Sequence, residues 1–89
     1  MLQRIWYSGH VQGVGFRYAA RKVAEGFTIT GTVENLDDGR VLIEVEGEEK
    51  EINAFRSDLE YRLKSYIRGQ STQEESVEKR RFNDFRILL

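Results

Sequence analysis

The sequence predicts an α+β domain, one antiparallel sheet with two helices packed on a single face. Two stretches place their apolar residues at helical spacing, while two others alternate apolar with polar residues around an Asp-Asp-Gly turn. Taken in chain order, the elements read β-α-β-β-α-β with one further strand at the C-terminus.

The first element, LQRIWYS over 2–8, is short and rich in β-branched and aromatic residues, as strands are. From Phe16, apolar residues recur at 16, 19, 20, 23, 24 and 27, the pattern of an amphipathic helix, which Gly26 stops. In TITGTVEN (28–35), Ile29, Gly31 and Val33 share one face, whereas Thr28, Thr30, Thr32 and Glu34 are expected to face solvent. Asp37–Gly39 supply a hairpin turn, and RVLIEVEG (40–47) then turns Val41, Ile43 and Val45 inward. A second amphipathic helix over 48–63 carries Ile52, Phe55, Leu59 and Leu63. The tail holds a weak strand near SYIRGQSTQ (65–73) and a clearer one in FNDFRILL (82–89), where Phe85, Ile87 and Leu89 alternate. This order is that of the ferredoxin-like sandwich, an architecture shared by many unrelated functions. Strands 2–8 and 28–35 are expected to lie side by side and parallel.

With 89 residues, 39% hydrophobic and 33% charged, the chain fits one small globular domain spanning 1–89. It has no cysteine, which excludes disulfides and thiolate chemistry, and a lone histidine, His10, which excludes a poly-His metal site. No apolar run approaches the ~20 residues that span a bilayer, and MLQRIWYSG lacks the features of a secretory signal. A cytoplasmic, free-standing, monomeric protein is therefore the expectation, with no membrane partner. Charge is unevenly spread: residues 1–24 carry four bases and no acid, residues 25–60 eleven acids against three bases, and residues 61–89 seven bases against four acids. Arg21 and Lys22 suit the wet face of a helix. Arg17 stands apart, because it directly follows a glycine-rich loop.

That loop, SGHVQGVGFRY, joins a strand to a helix and holds Gly9, Gly13 and Gly15. Glycines can take positive φ and let the backbone approach a ligand, and successive inward N–H groups make a concave anion nest. The free N–H groups and dipole of the helix that follows point to the same place. Arg17 adds a planar fork of donors suited to two oxygens of a phosphate or carboxylate. Together these features favour a compact oxyanion, though a plain tight turn would use the same glycines. The spacing matches neither the Walker loop nor the dinucleotide fingerprint. Asn35 falls on the inward face of its strand, at the sheet end from which the loop emerges. A buried amide there must be satisfied, so Asn35 either caps the turn or belongs to a site.

GHVQGVGFRY (9–18), GTVENLDDGRV (31–41) and VEGE (45–48) resemble the signatures of the acylphosphatase family, with a weaker echo in the final FNDFRIL. The resemblance implies hydrolysis of acyl phosphates to a carboxylate and inorganic phosphate, without metal or cofactor. It places Arg17 at the family's phosphate-binding arginine and Asn35 at the asparagine that positions the attacking water. It also draws the phosphate cradle from the amides of Gln12, Gly13, Val14, Gly15, Phe16 and Arg17. His10 departs from the pattern where arginine is common, Thr32 where an aromatic is usual, and the segment 64–84 is divergent. An alternative is a non-catalytic phosphate- or anion-binding regulatory domain, which would keep Arg17 and the glycines but would not need Asn35. Nucleic acid is not an expected partner, since RVLIEVEG lacks recognition aromatics and the middle of the chain is acidic. A domain cut from a larger carbamoyl-phosphate-using maturation protein is a further alternative.

Overall fold

Residues 1–89 are described by a computed structural model. Its elements are β1 (Leu2–Gly9), α1 (Phe16–Ala24), β2 (Ile29–Asn35), β3 (Val41–Gly47), α2 (Glu49–Arg62), β4 (Ile67–Glu75) and β5 (Phe85–Leu88). The two helical repeats and the alternating runs form where their periods place them. One face of the sheet joins both helices in a continuous core, in which Ile5, Tyr7, Val33, Val41, Ile43 and Val45 meet Ala20, Val23, Ile52, Phe55 and Leu59.

The sheet order is β4-β1-β3-β2-β5. Strands β1 and β2 therefore do not lie side by side, as the sequence led us to expect. Strand β3 separates them and pairs antiparallel with both, so β1 and β2 still point the same way. The sheet is also mixed rather than purely antiparallel, because β5 runs parallel to β2. Local patterning specifies that strands exist but not which neighbours they take. Strand β4 ends with Glu75 opposite Leu2, and β5 begins with Phe85 opposite Gly31. The chain between them thus crosses under one end of the sheet, from one edge to the other, and reverses direction.

Glu46 holds that crossover. Its side chain projects from the face opposite the helices, is only 5% exposed, and accepts hydrogen bonds from the backbone N–H groups of Arg81 and Phe82 at 2.9–3.0 Å. Thr32, expected in solvent, is 8% exposed. It lies between two strands, with Glu44 of β3 and Arg86 of β5 as its register partners on the same face.

Under α2 the inner layer turns polar. The Tyr7 hydroxyl donates to Glu60 at 2.7 Å, and Arg56 donates to Glu60, Gln3 and Thr72 at 3.0–3.1 Å. Gln3 in turn donates to Glu74 at 2.9 Å. This network attaches the exposed edge strand β4 to the layer beneath α2. Burial, reinforced by the hydrogen bond to Glu60, raises the Tyr7 pKa well above its ordinary value.

Replacing Glu46 with alanine leaves the Arg81 and Phe82 amides without their acceptor. We expect a loss of about 1–3 kcal/mol in urea unfolding, the scale of an unpaired buried donor, with faster hydrogen exchange at both amides. Unchanged exchange there would show that Glu46 does not secure the crossover. Tyr7 contributes a separate pH effect. An unfolded tyrosine ionises near pH ~10, whereas folded Tyr7 resists ionisation. Its contribution is thus complete below that pH and is lost progressively above it. Urea midpoints measured between neutral and strongly alkaline pH should fall more steeply for the native chain than for Tyr7→Phe. Parallel declines would assign the slope to other groups.

Candidate active site

The register at one row of the sheet brings the site together. Val41 of β3 faces Tyr7 of β1 on one side and Asn35 of β2 on the other. The C-terminal ends of β1 and β2 thus lie about 10 Å apart, two strand spacings, across the start of β3. The loop leaving β1 closes this gap. Gln12 makes the connection, its side-chain amide donating to the Leu36 carbonyl at 2.8 Å and the Arg40 carbonyl at 3.0 Å. The β2–β3 turn is closed from within by Leu36 N–H to the Arg40 carbonyl at 2.8 Å. Asp38 accepts from the Arg40 backbone N–H and guanidinium, and the backbone bond leads in holding its carboxyl below the ordinary range.

Two buried side chains anchor the loop, Val11 at 0% exposure and Phe16 at 2%, with the Phe16 ring 5.3 Å from that of Tyr7. Between them Gly13 and Gly15 both adopt φ of 79°, the left-handed region that L side chains rarely enter. No atom lies within 4 Å of where a Cβ would stand on either glycine. Glycine is needed there for backbone conformation, and the space above it is open.

The result is a run of unpaired donors. None of the backbone N–H groups of residues 12–18 donates a hydrogen bond within the protein. Helix α1 begins at Phe16, so the last of them are its own first-turn amides, at the positive end of the helix dipole. Arg17 is half-buried beside them. It takes part in none of the seven ion pairs, and its Nη1 donates to the Leu88 carbonyl at 3.2 Å. Strand β5 therefore fixes the guanidinium through its backbone while leaving the charge uncompensated.

Asn35 is not a cap of the turn through its side chain. Its side-chain amide forms no hydrogen bond to the turn, which Gln12 and Asp38 hold instead. It opens into the same cleft of about 280 Å³ as Gly13, Gly15 and Arg17. Of the residues singled out from sequence, the cleft thus brings together Gly13, Gly15, Phe16, Arg17 and Asn35. Gln12 turns its side chain to the hairpin, Val14 packs against the core, and neither lines the cleft. His10 is exposed outside the cleft, its ring 6.4 Å from that of Tyr66. A larger cavity of about 400 Å³ lies at the opposite end of the sheet, near Met1 and the crossover. It mixes the carboxylates of Glu46, Glu48 and Glu78 with Lys79 and Arg80. No three metal-ligating side chains converge anywhere in the chain, and no helix is long and apolar enough to cross a membrane.

Sequence reasoning missed three parts of this site: the Gln12 brace, the Leu88 carbonyl behind Arg17, and an apolar wall made by Tyr18, Ile87 and Leu89. Each depends on which strands are neighbours. Only the alternation of Ile87 and Leu89 along β5 was a usable signal.

Comparison with known proteins identifies the family. The acylphosphatase family model matches residues 3–87. A curated acylphosphatase of Clostridium acetobutylicum is 53% identical over 51 residues, 57% of this chain and 56% of that one. The chain thus aligns with little more than half the length of such relatives. A crystal structure of acylphosphatase from Bacillus subtilis is 34% identical over 100% of both chains, with a TM-score of 0.84. The same fold recurs within a longer protein, full-length HypF in its phosphate- and nucleotide-bound form, where 98% of this chain covers 11% of that one at 34% identity and a TM-score of 0.81. Matched over nearly its whole length by the family model, the chain belongs to the acylphosphatase family.

Proposed function

We propose that the protein hydrolyses small acyl phosphates to a carboxylate and inorganic phosphate, with Arg17 and the loop amides holding the phosphoryl group and Asn35 orienting the water. The observation that carries this reading is a coincidence of unpaired groups. The backbone donors of residues 12–18, the uncompensated Arg17 and the unbonded Asn35 amide meet at one cleft. A purely anion-binding domain would account for the first two but leaves an unbonded inward asparagine without a purpose.

The chemistry suits these groups. Phosphoryl transfer depends on positioning and on stabilising charge at the equatorial oxygens, which a ring of amides and a guanidinium supply. The attacking water forms a bond to phosphorus as the bond from phosphorus to the acyl oxygen breaks. The carboxylate departs with its electron pair, needing no general acid because its conjugate acid has a pKa near ~4. The proton from the water passes to a phosphoryl oxygen, so an acyl phosphate dianion yields a carboxylate and dihydrogen phosphate. No separate base is required, which fits the distance of His10 from the cleft. Asn35, which offers both a donor and an acceptor, aligns the water along the axis of the breaking bond.

Hydrolysis of acetyl phosphate in excess chelator is the direct test, and absence of turnover by protein that still binds phosphate would favour the anion-binding alternative. Arg17→Ala should abolish turnover and greatly weaken competitive inhibition by inorganic phosphate. Arg17→Lys should restore little, because a point charge lacks the bidentate fork; near-native kcat/KM in that variant would mean the amides suffice. Asn35→Ala should lower kcat by ~10²-fold or more while the phosphate inhibition constant stays near native, since a neutral amide adds little to holding a dianion. If phosphate affinity collapses instead and kcat survives, Asn35 is a binding residue. Gly13→Val should fold but lose phosphate affinity, because valine disfavours the φ that turns the amides inward. Normal binding by the folded variant would refute the nest.

A further inference from the structure

We infer that Tyr18 and Ile87 form an acyl-recognition wall that makes the site prefer aryl or branched acyl phosphates over acetyl phosphate. The inference rests on the hydrolase reading above and adds the substrate's other half to it. The cleft has two chemistries. Its polar side, with Gly13, Gly15, Arg17 and Asn35, meets every need of a phosphoryl group. Its other side presents Val11, Tyr18, Ile87 and Leu89, which offer a phosphoryl group no charge to pair with.

The position of this wall is set by the same contact that holds the arginine. Arg17 donates to the carbonyl of Leu88, which is flanked by Ile87 on β5 and by Leu89 just beyond its end. A phosphoryl group in the Arg17 fork therefore places the acyl carbon, one bridging oxygen away, beside these side chains. Tyr18 follows Arg17 in the first turn of α1 and is 64% exposed, an unusual degree for an aromatic ring that lines a cleft. The Arg21 guanidinium lies 5.5 Å from the centre of its ring, and Arg21 has no carboxylate partner. The ring is thus supported by a cation–π contact while much of its surface remains open to a ligand. An acetyl group ends at its methyl and leaves most of this wall wet. A benzoyl or branched-chain acyl group extends along it and removes apolar surface from water.

The test pairs two measurements on the native chain, Tyr18→Ser, Tyr18→Phe and Ile87→Ala, with circular dichroism confirming the fold of each. The first is kcat/KM for benzoyl phosphate and for acetyl phosphate. The second is calorimetric affinity for benzoylphosphonate and acetylphosphonate, whose carbon–phosphorus bond is not cleaved. We expect the native chain to favour the benzoyl member of each pair by about tenfold, the lower end for added carbons in a hydrophobic site, since this cleft is partly open. Tyr18→Ser and Ile87→Ala should bring both ratios toward unity, and Tyr18→Phe should preserve them, because the ring face and not the hydroxyl makes the contact. Equal preference in the native chain, or ratios unmoved by both Tyr18→Ser and Ile87→Ala, overturns the wall whatever the rate of hydrolysis. If neither acyl phosphate is hydrolysed but benzoylphosphonate binds more tightly in a Tyr18-dependent way, the wall stands and the hydrolase reading fails.

Discussion

The site depends on the place of β3 between β1 and β2. Because β3 runs antiparallel to both, the two strands end on the same side of the sheet, and Tyr7, Val41 and Asn35 share one row. A loop leaving β1 must then pass over the start of β3 to reach the neighbourhood of Asn35. Had β1 and β2 paired directly, the gap would be one strand spacing, ~5 Å. The wider spacing leaves room for a bowl of backbone with a ligand-sized cleft beneath it. The side chain of Gln12 spans part of this distance and ties the bowl to the turn that follows Asn35.

Such a bowl opposes folding. Backbone donors without partners and two left-handed residues contribute nothing favourable on their own. Stability comes from the loop's two ends, where Val11 and Phe16 are buried and Phe16 packs on Tyr7. Glycine at 13 and 15 lowers the conformational cost, and the openness above both positions leaves the donors accessible. The loop is held rigidly from below and from one side while its inner surface is left unsatisfied. On the proposed hydrolase reading, this is the preorganisation that electrostatic catalysis requires, with donors oriented before charge develops.

Much of this was legible in the sequence, and the limits have a common cause. Helical and strand periods report burial along a single segment, so α1, β2, β3 and α2 could be placed directly. The glycine loop and Arg17 could be read as an anion site because their chemistry is local. Strand neighbours are not local. The adjacency expected for β1 and β2 was wrong, because nothing in either strand encodes the insertion of β3, and nothing in β5 encodes its parallel place beside β2. The buried state of Thr32 likewise accompanies a place between β3 and β5 that its own strand does not encode. The segment after Leu63 read as divergent because β4 is exposed along most of its length, with no apolar alternation to reveal it. Its attachment is polar, through Arg56, Gln3 and Thr72.

The uneven charge of the chain finds its explanation in the same structure. Residues 25–60 are strongly acidic, a charge that repels anions. Much of that charge is already engaged: Glu44 with Arg4, Asp38 with Arg40, Asp58 with Arg62, and Glu60 with Arg56. Glu46 is enclosed by the crossover at the far end of the sheet. Arg17 has no such partner. Charges further away act through water and are screened over about 8–10 Å at ordinary ionic strength, whereas the guanidinium and loop amides meet a ligand at contact distance. The protein is slightly acidic as a whole and cationic at its cleft. Pairing acids elsewhere with their own arginines leaves Arg17 to dominate the field where an oxyanion would sit.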